Sequence, residues 1–126
     1  MSAKFSDVPK IVPPSHDSWS AEAETAMALL STGLRVSVMA YLNSAEGREG
    51  VTKAMIADAT GVSMGTINAT LIEAEKRGLL TVKVDRVPSQ GGVNRYYLDH
   101  EKYESAVQAW LDFALGKGFT DENFRR

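Results

Sequence analysis

Between residues 48 and 95 the chain places seven basic side chains: Arg48, Lys53, Lys76, Arg77, Lys83, Arg86 and Arg95. Five acidic ones stand against them, Glu49, Asp58, Glu73, Glu75 and Asp85, in a protein whose net charge is −2. The centre is therefore mildly basic between acidic flanks, which suits contact with phosphate, since local charge governs an encounter more than the total does. Other chemistries have fewer candidates. With no cysteine there is no disulfide and no thiolate metal site, and His16 and His100 are too few for a histidine-rich metal centre. The glycines of "GREG" and "SQGG" belong to turns. No glycine-rich phosphate loop opens a helix after a strand, and no nucleophile elbow is present. Asp58 and Glu73 fall on exposed helix faces with no sign of a shared cleft. The expectation is a protein that is not an enzyme, with no cofactor and no metal.

The elements that would position the basic residues follow from periodicity. At 126 residues, 44% of them apolar and 24% charged, the chain suits one packed domain. Residues 1–19 hold three of the four prolines and little apolar periodicity, so they read as a flexible N-terminal arm. A domain over residues 20–116 and a flexible tail over 117–126 complete the division. Ser20 is placed to cap a helix that starts at Ala21. A second helix, "LRVSVMAYLN", carries Leu34, Val38, Tyr41 and Leu42 as a core-facing stripe. "SAEGREG" reads as a surface turn. Thr52 then caps a helix over residues 53–60 that turns Ala54, Ile56, Ala57 and Thr60 inward. Gly61 ends this helix, because glycine takes positive φ without strain. Ser63 caps the next one, whose inward residues are Ile67, Leu71, Ala74 and Ile72. "LTVKVDRV" alternates with period two, "PSQGG" makes a hairpin tip, and "VNRYYLD" is the return strand with Tyr96 and Leu98 on one face. Asp99 caps a terminal helix, about residues 99–115. Its apolar stripe, Tyr103, Ala106, Val107, Trp110, Leu111 and Ala114, is wider than one small domain readily covers, which favours a dimer seam.

Two helices crossing steeply need a small residue at the crossing, a sharp turn, and apolar residues that lock the second helix onto the first. Ala57, Gly61 and Val62, then Ile67 and Leu71, supply these in order. The spacing resembles a helix-turn-helix, and the hairpin that follows makes the unit similar to a winged helix-turn-helix. The expected class is mainly α with a small β-hairpin, about five helices plus the wing. The wider pattern resembles ArsR-type bacterial regulators, with MarR-type regulators second. "TGLRVSVMAYL", "MIADATGVSMGTINATLIEAEKRGLL" and "GGVNRYYLDH" carry the resemblance, over roughly residues 22–115. Metal-sensing members of that family carry two cysteines where Thr52 and Ala54 stand here, so the resemblance does not extend to metal sensing. It maps no small-molecule effector site either.

The resemblance implies a reading helix whose groove-facing residues are Ser63, Met64, Thr66, Asn68, Ala69 and Thr70. Ser63 and the helix N-terminus would donate to phosphate, Asn68 would pair with adenine, and Thr66 or Thr70 would meet a thymine methyl or base edge. No Lys or Arg lies between residues 62 and 75, so the cations must come from around the helix. Lys53, Lys83, Arg86, Gln90 and Arg95 are the backbone and wing candidates, while Lys76 and Arg77 read as solvated charges and Arg35 as an ion-pair or helix-start residue. Tyr103, Val107, Trp110, Leu111 and Ala114 are the dimer candidates. The function implied is a cytoplasmic homodimer that binds double-stranded DNA at a pseudo-palindromic operator, acting as a transcriptional repressor. Two alternatives stay open: a DNA-binding role in plasmid or phage segregation or replication control, and a winged-helix module that binds protein through its neutral helix face.

Overall fold

The computed structural model describes residues 20–87 and 91–117. The proposed arm with Phe5, His16 and Trp19, the wing-tip residue Gln90 and the tail beyond Lys117 lie outside the described residues. Among the described residues, five α-helices and a two-stranded hairpin follow one another in the order α1 (Ala21–Leu29), α2 (Gly33–Leu42), α3 (Lys53–Thr60), α4 (Met64–Lys76), β1 (Leu80–Val87), β2 (Gly91–Leu98) and α5 (His100–Ala114). This is a mainly α, winged helix-turn-helix arrangement. No single helix among the described residues is long and apolar enough to cross a membrane.

Each helix begins where a short oxygen-bearing side chain can satisfy a first-turn amide that has no partner within the helix. Ser20, Thr32, Thr52, Ser63 and Asp99 accept from the backbone N–H of Ala23, Arg35, Met55, Thr66 and Lys102 respectively. Gly61 closes α3 at φ 72°, and its N–H reaches the Ala57 carbonyl at 2.8 Å. The chain then reverses within two residues, as the helix-turn-helix requires.

The core gathers Leu29, Val38, Met39, Leu42, Ile56, Val62, Ile67, Leu71, Leu79 and Leu98, all buried. On α2 the buried stripe is Val38, Met39 and Leu42, whereas Leu34 is 54% exposed and Tyr41 half-buried. The expected stripe was therefore rotated by about one residue, because α2 packs on α3 and α4, and those partners decide which face is covered. On α3, Ile56 is buried and Ala57 and Thr60 are partly so, but Ala54 is exposed. Arg35 fastens α2 to α1 by donating from Nη1 to the Ala28 carbonyl at 2.9 Å.

Helix α5 packs along α1, and buried alanines on both, Ala23 and Ala26 on one and Ala106 on the other, permit close approach. Tyr103 is buried in this intramolecular core, which corrects its expected place at a dimer seam. Val107 packs against the same core, Trp110 is half-buried, and Leu111 and Ala114 are exposed.

The segment read as a surface turn is more ordered than expected. Residues 47–49 form a 3-10 turn, and a Cβ on Gly47 would lie 2.3 Å from the Tyr41 carbonyl oxygen. The Tyr41 hydroxyl donates to the Glu46 carboxylate, which pushes the phenol up to about 12. At the other end of this loop His100 Nδ1 lies 2.7 Å from Asn43 Oδ1, and Asn43 and Arg48 both donate to Glu104. The loop is thus fastened to the start of α5. Burial, then the charge of Arg48, lowers the His100 pKa against the opposing pull of Glu104 and Asp99.

Candidate nucleic-acid interface

The register of the hairpin decides where the wing points. Leu80 pairs with Leu98 and Val82 with Tyr96 at the base, where Leu80, Leu98 and Tyr96 are buried. Further out, Val84 is 58% exposed, so the hairpin leaves the core and projects into solvent after about four residue pairs.

Three contacts tie the wing base to the residues just before α3. Val51 exchanges backbone hydrogen bonds with Tyr96, at 3.2 and 2.8 Å, as a one-residue third strand. The Tyr97 ring lies so close to Gly50 that a Cβ there would sit 2.4 Å from it, and Gly50 has φ 87°, a left-handed value suited to glycine. Arg95 bonds to Asp85 Oδ2 from Nε at 2.8 Å and donates from Nη1 to the Gly50 carbonyl at 3.0 Å. Arg95, expected on the wing surface to meet phosphate, is instead occupied in anchoring the wing. Its two partners lie within the protein and it is only one-third exposed.

Helix α4, expected to be the reading helix, also differs from expectation. Ser63 caps α4 and is exposed, and Met64 and Ala69 are exposed as expected. Thr70 is not: it is fully buried, and its hydroxyl donates to the Thr66 carbonyl at 2.8 Å. Threonine at this angle faces α2 and α3 together with Ile67, Leu71 and Ala74, so it is removed from the reading face. Thr66 is half-buried, with its hydroxyl 3.4 Å from Ser63 Oγ in the cap. Asn68 is half-buried, and its Oδ1 is hidden from solvent without a hydrogen-bond partner. Bidentate pairing with adenine needs both amide atoms on the groove side, so this conformation does not present the expected contact. Ile72, read from the sequence as an inward residue, is 64% exposed. Gly65, Ala69 and Ile72, at i, i+4 and i+7, form the outermost ridge of α4, with Met64 beside them.

Around this neutral ridge the charges sort themselves by pairing. Arg77 is occupied by Glu73 and Glu24, and Arg95 by Asp85. Among the described residues, Lys53, Lys76, Lys83 and Arg86 have no ion-pair partner. Of the acidic groups from α3 through β2, Asp58 and Glu75 are similarly without one. Two of the lysines are steered by wing aromatics. Lys83 Nζ stands 5.0 Å from the centroid of the Tyr97 ring, and Lys53 Nζ stands 5.9 Å from that of Tyr96. Arg86 is exposed on the outer part of β1. A groove of about 310 Å³ opens between the start of α3 and the return strand, lined by Thr52, Lys53, Ala54, Val93, Asn94 and Tyr96. Lys53 and the first-turn amides of α3 border it, a combination that favours anions.

The residues brought together are therefore Ser63, Met64 and Ala69 on α4, with Lys53, Lys83 and Arg86 around it. Thr70 and Arg95 are taken elsewhere, and Gln90 lies outside the described residues. Sequence reasoning finds Gly65 and Ala69 as small residues that allow close approach, and it misses Ile72 as a surface-ridge residue and Gly50 as the seat of the wing. The i, i+4, i+7 spacing of two small residues and an isoleucine was the available signal for the ridge.

No family model matches this sequence, and no curated protein matches it. Among solved structures, the chain is similar to a protein of Methanosarcina mazei Go1 described as a possible transcriptional regulator. That similarity has a TM-score of 0.47 at 15% identity and covers 75% of this chain and 82% of the other. It is also similar to a zinc-responsive MarR family member of Lactococcus lactis, ZitR. There the TM-score is 0.39 at 17% identity, with 98% of this chain and 82% of the other covered.

Proposed function

We propose that the protein is a sequence-specific, double-stranded DNA-binding transcriptional regulator, acting as a homodimeric repressor. One observation carries the reading: the exposed face of α4 from Met64 to Ile72 is uncharged, and Lys76 at the end of that helix, with Lys53, Lys83 and Arg86 outside it, has no ion-pair partner among the described residues. Cations placed around a helix neutralise phosphates on either side of a groove, while the helix itself enters it. The wing anchor at Gly50, Tyr97 and Arg95 holds Lys83 and Arg86 at a constant offset from α4, which is what register on a duplex demands. The resemblance of residues 32–42 and 91–100 to ArsR-type regulators supports the same role. A repressor of this kind excludes polymerase from a promoter that overlaps its site.

The homodimer rests on α5. Helix α1 covers Tyr103 and Ala106 but leaves Leu111 and Leu115 exposed and Trp110 half-covered, an apolar end suited to a second copy. Two copies would place eight cations on the duplex and imply half-sites about one helical turn apart. Sedimentation of the purified chain tests this part: a monomer at micromolar concentration removes the dimer from the proposal. Selection of duplexes from a random library, followed by affinity titration against salt, tests the DNA reading itself.

A second reading has its own observation. Exposed Ile72 and Met64 on a neutral helix also suit a protein partner. It predicts no enriched duplex and weak binding that is indifferent to salt.

A further inference from the structure

We infer that the reading helix recognises its half-site through thymine methyl groups, so that the contacted core of the site is A·T-rich. This rests on the DNA-binding reading above and names the class of sequence that the site takes.

In the major groove guanine is read by Arg or Lys at O6 and N7, cytosine by a carboxylate at N4, and adenine by an amide at N6 and N7. From Met64 to Ala74 the helix has no Arg or Lys. Its carboxylate there, Glu73, is paired with Arg77. Its amide, Asn68, has its oxygen hidden. Thr66 is engaged at the cap and Thr70 is in the core. Ser63, exposed at the cap, accepts from the Thr66 amide, and the exposed groups between Met64 and Ala74 are Met64, Gly65, Ala69 and Ile72, all apolar.

The thymine C5-methyl is the apolar group that a base pair presents in the major groove, and it separates A·T from G·C. Gly65 and Ala69 lack side-chain bulk, so the helix axis can approach the groove floor closely. Ile72, at 64% exposure, and Met64, at 44%, then supply the surface that would cover methyl groups. From Gly65 to Ile72 the helix rises roughly 10 Å, about the length of three base-pair steps. The contacted core is then about four consecutive pairs in each half-site. Placed over G·C pairs, the same face would cover polar base edges with no methyl group in compensation.

The test uses the full chain. A duplex is selected from a random library, then each thymine of the selected site is replaced in turn by deoxyuridine, which removes the methyl group and leaves base pairing intact. The expected result is an A·T-rich core in which two or more replacements each weaken binding about fourfold, the value of one buried methyl-sized group. Ile72→Ala and Met64→Ala, both at exposed positions, should weaken binding to the thymine duplex and abolish the uridine effect at the pair each residue covers. Tight, salt-sensitive binding to a site whose core is G·C, or binding indifferent to every uridine replacement, overturns this inference and leaves the DNA-binding reading standing. Absence of any selected duplex, with only feeble salt-indifferent binding, overturns both.

Discussion

Arg95→Ala separates the geometry of the wing from its charge. The guanidinium bonds to Asp85 at 2.8 Å and to the Gly50 carbonyl at 3.0 Å, joining β2 to β1 and to the residue that precedes Val51. Sheltered hydrogen bonds to a charged group contribute roughly 1.5–3 kcal/mol. Here the arginine side chain is 33% and the aspartate 58% exposed, so solvent screening brings the ion pair down to about 0–1 kcal/mol. The bond to Gly50 contributes about 1 kcal/mol more, since it orders a backbone carbonyl at the wing base. The substitution should therefore cost about 1–2 kcal/mol, roughly 4–10 °C in Tm for a domain of this size. Arg86→Ala is the comparison, because Arg86 is exposed and makes no ion pair among the described residues; it should alter stability by less than about 0.5 kcal/mol. Thermal unfolding of both variants, with DNA affinity followed across salt, reads the two effects apart. Arg95→Ala should lower Tm and weaken DNA binding without changing the salt slope, while Arg86→Ala should leave Tm in place and reduce the slope by about one. An Arg95→Ala protein with unchanged Tm and a flattened salt slope would refute the reasoning, making Arg95 a phosphate contact after all.

Three further predictions follow from the same structure. Gly50→Ala puts a Cβ 2.4 Å from the Tyr97 ring at a positive φ, and should destabilise the fold by about 2–3 kcal/mol in urea unfolding. Thr70→Val removes the bond to the Thr66 carbonyl but keeps the buried shape; it should cost about 1 kcal/mol and leave DNA affinity unchanged, which a residue on the reading face would not. His100 has a folded pKa below 6.5, so its neutral form belongs to the native state and the unfolded chain binds the proton more readily. Its contribution is complete above the unfolded value and is lost as pH falls from there through the folded pKa. Unfolding free energy should decline as pH is lowered from roughly 7.5 to 5, and His100→Gln should shrink that decline; an identical pH profile for the variant would dismiss the linkage.

The local signals in the sequence were clear. Ser20, Thr52, Ser63 and Asp99 cap the helices they were expected to cap, Gly61 makes the turn, and Tyr96 and Leu98 face the core. Each depends on chemistry within a few residues. What the sequence left hidden is non-local. A helical stripe is legible to within about one residue, or 100° of rotation, and that error exchanged Leu34 for Met39 on α2 and put Thr70 rather than Ile72 on the outer face of α4. Both threonine and isoleucine are plausible on either face, so packing against α2 and α3 decides. The Val51 bridge to Tyr96 and the Arg95 bond to Gly50 each join residues 45 apart, beyond the reach of any periodicity. An arginine on a predicted strand carries no mark of its partners, so the sequence points Arg95 toward DNA where the fold gives it Asp85 and Gly50. The stripe on α5 was read as a seam because α1, the helix that covers half of it, is distant in sequence.

The central claim is that the uncharged face of α4, Met64 to Ile72, works within a frame of cations that contact phosphate. The most direct measurement is the dependence of affinity on salt for the duplex that the protein itself selects. Four phosphate contacts from one protomer give a slope of log K against log salt of about −3.6, and two protomers give about −7. A selected duplex bound with a slope in this range supports a DNA reader whose contacts are Lys53, Lys76, Lys83 and Arg86. A slope near zero, or no selected duplex at all, would contradict it.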